Sequence, residues 1–208
     1  MNDKTLSVLI VDDHSVVRMG MNALLSAEAD LHVVGNAKNG LEAISQARTL
    51  QPDVIIMDME MPRKDGIDAT AEIIAEQPDA KILIITSFST TDRIAKAIKA
   101  GALGAIMKNA DDSEMVAAIR AVGRGKVYLA KDIKRLFKED PPMPELSPRQ
   151  REILDAITRG LTNQDIAKLL GISLDMVKKH MTALLQKMNV ANRSEAVATA
   201  LRKRLLKI

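Results

Sequence analysis

Val54-Ile55-Ile56-Met57-Asp58 is a short apolar run, mostly β-branched, that ends on a carboxylate. It lacks the alternation of a strand with one wet face, so it reads as a strand buried on both sides, as in the middle of a parallel sheet. Runs of the same kind lie on either side of it: Leu6 to Val11, Leu31 to Gly35, Lys81 to Thr86 and Gly104 to Met107. Between them, segments such as Leu41 to Leu50, Ile67 to Ala75 and Ile94 to Ala100 repeat apolar residues at helical spacing. The alternation predicts an α/β domain: a doubly wound, five-stranded parallel sheet with helices on both faces and right-handed crossovers.

In open parallel sheets, function gathers at the carboxyl ends of the strands. The polar residues of this chain fall there: Asp12 and Asp13 close the first run, Asp58 the third, Thr86 the fourth and Lys108 the fifth. A lone Asp after a strand is ordinarily a helix cap, but capping does not account for a whole group converging on one rim. Carboxylates held this close repel, and a buried cluster either raises its pKa values or needs a cation. All-oxygen ligands with room for water suit Mg2+. Asp58 then becomes a carboxylate able to attack a phosphoryl group and form an acyl phosphate. The Lys108 ammonium and the Thr86 hydroxyl would share the charge on the phosphoryl oxygens.

The chain of 208 residues is long enough for two modest cores. With no cysteine, disulfides, thiolate metal sites and cysteine nucleophiles are excluded. The amino terminus lacks an apolar stretch of signal-peptide kind and no run approaches membrane-spanning length, so a cytoplasmic location with no membrane contact is expected. Charge is uneven: residues 1–144 carry 18 Lys and Arg against 21 Asp and Glu, whereas residues 145–208 carry 12 against 6. A small basic domain after a larger acidic one points to a polyanion partner for the second. With no Trp, one Tyr and two Phe, the chain has little to stack on single-stranded bases.

From Gly125 the rhythm changes, and Lys138 to Glu145 contains three prolines that deny both helix and sheet. The expected organisation is a first domain at 1–124, a linker at 125–145 and a second domain at 146–208. Lys131 to Phe137 reads as a short helix belonging to neither core. Beyond the linker every segment is helical. Ser147-Pro148-Arg149-Gln150 combines an N-cap, a first-turn proline and a capping-box glutamine, and Thr162, Ser173 and Asn192 are further N-caps. Gly160 and Gly171 mark helix ends. The result is an all-α, four-helix domain with a tight turn at Gly171-Ile172, a helix-turn-helix pattern.

Residues 5–124 resemble the receiver domains of two-component systems through Val11-Asp12-Asp13-His14, Met57-Asp58-Met59-Glu60-Met61-Pro62, Asp65-Gly66, Ile84-Ile85-Thr86-Ser87 and Gly101-Ala102-Leu103-Gly104 with Lys108. The resemblance implies a flavodoxin-like fold, Asp58 as phosphoacceptor, and Mg2+ bound by Asp12, Asp13, Asp58 and the backbone carbonyl of Glu60. It also implies Thr86 and Lys108 as sensors of the phosphoryl group and a sensor histidine kinase as donor. Ala105 departs from the pattern, because many receivers carry an aromatic there that swings inward with the threonine. Phe88 would be an alternative aromatic, although plain packing explains a Phe there equally well. His14 reads as a first-turn helix residue near the rim.

Residues 146–206 resemble the LuxR-type helix-turn-helix domain of NarL/FixJ regulators, through Leu146 to Leu154, Gly160 to Ala167, Gly171-Ile172-Ser173, Val177-Lys178-Lys179-His180 and Ala191 to Ala196. Ile166, Leu169 and Leu170 are expected to bury the scaffold helix. Val177, Met181, Leu184, Leu185 and Met188 would hold down the recognition helix, with Lys178, Lys179, Thr182 and Gln186 facing outward. By resemblance Lys178, Lys179 and Thr182 contact the major groove of double-stranded DNA. Met176 replaces the family's usual threonine, putting a phosphate or capping contact in question. The final helix, Ser194 to Leu206, would expose Val197, Ala200 and Leu201 as a dimer seam, although packing within one monomer explains the same stripe.

The expected function is phosphorylation-dependent, homodimeric DNA binding in transcription, with RNA polymerase as a further partner. A constitutive DNA-binding protein whose receiver serves only for dimerisation or docking is the alternative. An enzyme is not expected. Phosphohydrolases of the haloacid-dehalogenase type also use an aspartyl phosphate and Mg2+, but place the nucleophile after the first strand and an acid/base Asp two positions on. Here Asp58 follows the third strand and residue 60 is Glu.

Overall fold

The structure, a computed structural model, describes residues 5–87, 90–203 and 205. It divides into two compact units, Met1–Asp140 and Pro141–Ile208. The first is built on strands β1 (Leu6–Val11), β2 (Leu31–Ala37), β3 (Val54–Asp58), β4 (Ile82–Thr86), β5 (Gly104–Met107) and β6 (Tyr128–Leu129). They form one sheet in the order β2-β1-β3-β4-β5-β6, every pairing parallel. Helices α1 (Ser15–Ser26), α2 (Gly40–Leu50), α3 (Gly66–Glu76), α4 (Thr91–Lys99) and α5 (Asp112–Gly123) make the crossovers, and α6 (Lys131–Glu139) follows β6. Every residue of β3 and β4 is buried, as the unbroken apolar runs require, while edge strand β2 is buried at its ends and wetter between.

Two expectations need correction. The sheet has six strands, not five: Tyr128 and Leu129 pair with Gly104 and Ala105. Residues 125–139 are therefore not linker. Ala130 and Ile133 are buried in the first unit's core and Phe137 packs against it, so α6 belongs to that core and lies against β5 and α4. Burial of these apolar side chains carries the chain past residue 124, and the first unit ends only at Asp140, before the prolines.

The second unit holds α7 (Pro148–Thr158), α8 (Asn163–Leu170), α9 (Leu174–Met188) and α10 (Arg193–Arg202). All four expected caps are present. Ser147 and Thr162 form reciprocal capping boxes with Gln150 and Asp165, and Ser173 and Asn192 accept from the backbone of Met176 and Glu195. Gly171 ends α8 at φ 62°, a left-handed conformation that costs glycine little. The core gathers Ile153, Leu154, Ile157, Ile166, Val177 and Leu184. Leu169 does not join it; at 54% exposed it lies on the outer face of α8.

Candidate phosphoryl-acceptor site and DNA-binding face

Strand register assembles the rim. Val11 pairs with Met57, so the next residues, Asp12 and Asp58, stand side by side where the chain order reverses between β1 and β3. Asp58 pairs with Ile85, and the Lys108 amide donates to the Thr86 carbonyl at 2.8 Å, bringing the ends of β4 and β5 to the same edge. Asp12, Asp58 and Thr86 are all buried.

The Lys108 ammonium bridges the two inner carboxylates, 2.7 Å from Asp12 Oδ2 and 2.9 Å from Asp58 Oδ2. Burial pushes the Asp58 carboxyl up from its ordinary value, and the hydrogen bond and charge of Lys108 pull only part of that back. Burial pulls Lys108 down, but its hydrogen bonds to Asp12 and Asp58 more than compensate and hold it above its ordinary value. Asp58 Oδ1 faces the Glu60 amide at 3.4 Å.

Asp12, Asp13, His14 and Asp58 each place a ligand atom within 4.8 Å of the others. Asp12 Oδ2 and Asp13 Oδ1 are buried, with the Lys108 ammonium at 2.7 Å from the first and the His14 ring nitrogen at 2.8 Å from the second, and a carboxylate oxygen with one such neighbour keeps a lone pair for a cation. Carboxylate oxygens suit a hard divalent ion, and the donor set therefore fits Mg2+; an imidazole adds little for that metal.

His14, expected near the rim as a first-turn helix residue, lies there with two carboxylate neighbours. It is the N-cap of α1 but makes no side-chain cap; its Nδ1 lies 2.8 Å from Asp13 Oδ1 and 3.3 Å from Asp12 Oδ1. Two arginines were missed altogether. Arg18 Nη1 donates to the Asp12 carbonyl at 2.7 Å, one helical turn after His14, a spacing that marks its face. Arg93 reaches the Met59 carbonyl from α4, for which no local pattern exists. Ala105 is fully buried in β5. Phe88, the alternative aromatic, lies outside the described residues.

On the second unit, Val177, Met181, Leu184 and Met188 face the core while Lys178, Lys179, Thr182 and Gln186 are exposed along the opposite face of α9. The Met176 side chain is 47% exposed, and the cap is intact because Ser173 Oγ accepts from the Met176 amide at 3.2 Å. The seam on α10 needs correction. Ala196, Thr199, Ala200 and Lys203 recur at helical spacing and turn inward, so Ala200 is core rather than surface. Leu201 is exposed and Val197 is half-buried against the core. Leu206 lies outside the described residues.

Residues 8–120 match the response regulator receiver domain, and residues 144–200 match the bacterial regulatory proteins of the luxR family. The chain belongs to the response regulators with a LuxR-type DNA-binding domain. It is 39% identical to the transcriptional regulatory protein LiaR of Bacillus subtilis over 97% of this chain and 99% of that protein. It is 37% identical to the oxygen regulatory protein NreC of Staphylococcus carnosus, again over 97% and 99%. The crystal structure of ChrA, a response regulator in a heme-sensing two-component system, is 34% identical and covers 97% of this chain and 99% of its own, with a TM-score of 0.57. RcsB from Salmonella enterica serovar Typhimurium, bound to a promoter, shares the fold at a TM-score of 0.71 and 24% identity, over 94% and 97%. The family is one of DNA-binding regulators homologous to two-component proteins. Among the described residues no helix is long and apolar enough to cross a membrane.

Proposed function

We propose that this response regulator is switched by phosphorylation of Asp58 and binds double-stranded DNA through α9 as a homodimer in the cytoplasm. The observation that carries the reading is the Lys108 ammonium held between the buried carboxylates of Asp12 and Asp58. Two buried carboxylates that would repel are bridged at the rim by one ammonium, with the Asp13 carboxylate and the His14 ring beside them.

Asp12, Asp13, Asp58 and the Glu60 carbonyl would hold Mg2+. When bound, the ion supplies positive charge to the phosphoryl oxygens and lowers the repulsion met by an anionic nucleophile. Asp58 attacks phosphorus. Its new O–P bond replaces the P–N bond of a phosphohistidine in the sensor kinase, and the electron pair of that bond leaves with the imidazole. Lys108 then trades its contact with Asp58 for the transferred phosphoryl oxygens, and the Thr86 hydroxyl donates to another of them. Lys178, Lys179 and Thr182 contact the major groove, and exposed Leu201 with half-buried Val197, without Ala200, forms a dimer seam.

Intact mass after incubation with a small acyl phosphate tests the first half: one phosphoryl adduct on wild type with Mg2+, none on Asp58→Asn. Equal labelling of both proteins removes Asp58 from this role. DNA affinity tests the second. Lys179→Ala is expected to cost roughly 1–3 kcal/mol at a specific site if it reads a base, and to weaken all sequences alike if it binds phosphate. Ala105 favours the alternative, a constitutive regulator with a docking receiver, because no aromatic can swing there. Equal DNA affinity with and without the phosphoryl group would establish that alternative.

A further inference from the structure

Arg93 stands in the first turn of α4, where the helix dipole disfavours a cation. Its guanidinium does not extend to water but reaches over the β3–α3 loop, and only a fifth of the side chain is exposed. There it meets three acceptors. Nη2 donates to the Met59 carbonyl at 3.4 Å and lies 3.6 Å from Asp65 Oδ2, while Nε lies 3.9 Å from Glu60 Oε1. Nε is buried and makes no hydrogen bond, so this donor is available should the Glu60 carboxylate close by a few tenths of an ångström. Lysine, a point charge, cannot face three acceptors in this way; the planar fork of arginine can.

What the fork touches is the frame of the phosphoryl-acceptor loop. Met59 and Glu60 open the loop, and Asp65 closes it as the N-cap of α3, accepting from Asp68 through Oδ1. The Met59 carbonyl also accepts the Gly66 amide at 3.1 Å, which pins the two ends together. Packing there is so tight that a Cβ on Gly66 would collide with the Asp58 carbonyl. Arg93 thus grips both ends of the segment that follows Asp58, from a helix that follows β4.

We propose that Arg93 is a positioning residue for phosphotransfer: it fixes the Met59–Gly66 loop so that the Glu60 carbonyl and the Asp58 carboxylate are presented together to the metal. The inference rests on Asp58 as phosphoacceptor and the Glu60 carbonyl as a Mg2+ ligand. Because Arg93 acts through the loop, its removal lowers metal affinity before it changes the chemistry.

The test uses the full chain with Arg93→Ala, Arg93→Gln and Arg93→Lys, the last two keeping a long stem so that packing survives if the alanine variant folds poorly. Three quantities are read: hydrogen exchange of the Gly66 amide without metal, Mg2+ affinity by calorimetry, and the rate of Asp58 labelling by a small acyl phosphate. Expected are faster Gly66 exchange and Mg2+ affinity reduced on the order of tenfold in Ala and Gln, with partial recovery in Lys. Labelling should slow at limiting Mg2+ and recover at saturating Mg2+. A lower melting temperature with unchanged Mg2+ affinity, or three variants that all label like wild type at limiting Mg2+, overturns the proposal. Failure of wild type itself to label would instead remove the phosphoacceptor reading, and the Gly66 exchange would still report whether Arg93 holds the loop.

Discussion

Replacing Lys108 with Met keeps the aliphatic stem and deletes the charge that holds Asp12 and Asp58 together. Those carboxylates are 0% and 3% exposed, so water cannot take over from the ammonium now 2.7 and 2.9 Å away. Removing one partner of a buried ion pair typically costs about 3–5 kcal/mol. The lower end is expected here, because burial already pushes the Asp58 carboxyl up and a bound proton relieves part of the repulsion. A deficit of about 3 kcal/mol should therefore appear in the metal-free protein. Mg2+ supplies the same charge, and at a hundredfold excess over its Kd a ligand adds about 2.7 kcal/mol, enough to recover most of the loss. The assay is urea unfolding in chelator and in Mg2+, followed by the fluorescence of Tyr128, the single tyrosine of a chain without tryptophan and a reporter of the first unit alone. An unchanged midpoint in chelator, or a deficit that Mg2+ fails to narrow, would refute the view of Lys108 as a stand-in cation.

Gly66→Ala should lose about 1–3 kcal/mol by overpacking and stop Asp58 labelling, since the new methyl meets backbone that cannot rotate away; intact mass and Tyr128 unfolding check it. Ile133→Ala should cost about 2–5 kcal/mol on the Tyr128 signal, because Ile133 is fully buried in the first core, whereas a residue in a loose linker would cost nothing. Arg120 takes Asp30 in a two-pronged pair at 2.8 and 2.5 Å and also binds Glu28, and its hydrogen bond holds the Asp30 carboxyl below its ordinary value. A depressed carboxyl stabilises above its unfolded pKa and loses that contribution as pH falls through the folded one. Arg120→Met should therefore melt lower than wild type at neutral pH, and the two curves should converge in acid below the ordinary carboxylate range.

β3 and β4 were legible because each has an uninterrupted apolar run, as two-sided burial requires, and β1, β2 and β5 because apolar runs recur between the helical segments. β6 was not, since two half-buried residues, Tyr128 and Leu129, carry no period. α6 reads as a helix from its pattern, yet only Ile133 is buried, and one anchor does not tell which core it enters. On α10 the small side chain of Ala200 fits surface and core equally, and the buried neighbours Thr199 and Lys203 disguise the inner face as polar. The Lys203 ammonium resolves its own burial by donating to the Pro141 carbonyl at 3.1 Å, a contact made 62 residues away in sequence.

The rim residues were legible for a different reason: a strand end is a fixed place in a parallel sheet, so Asp12, Asp58, Thr86 and Lys108 share an edge once the strands are assigned. Arg93 and the His14 ring depend on loop paths that no period encodes. The rim is locally unfavourable, since it buries neighbouring carboxylates with one ammonium between two of them. It persists because register leaves no alternative. A slip of one residue in β3 would reverse the facing of every one of its side chains. Val8, Leu9, Ile10, Val11, Ile55, Ile56, Leu83, Ile84 and Ile85 are essentially without exposure, so such a slip would cost far more than the repulsion it relieved. The apolar strands thus hold a charged edge that could not assemble by itself, and the repulsion that Lys108 leaves uncompensated is what a bound cation would relieve.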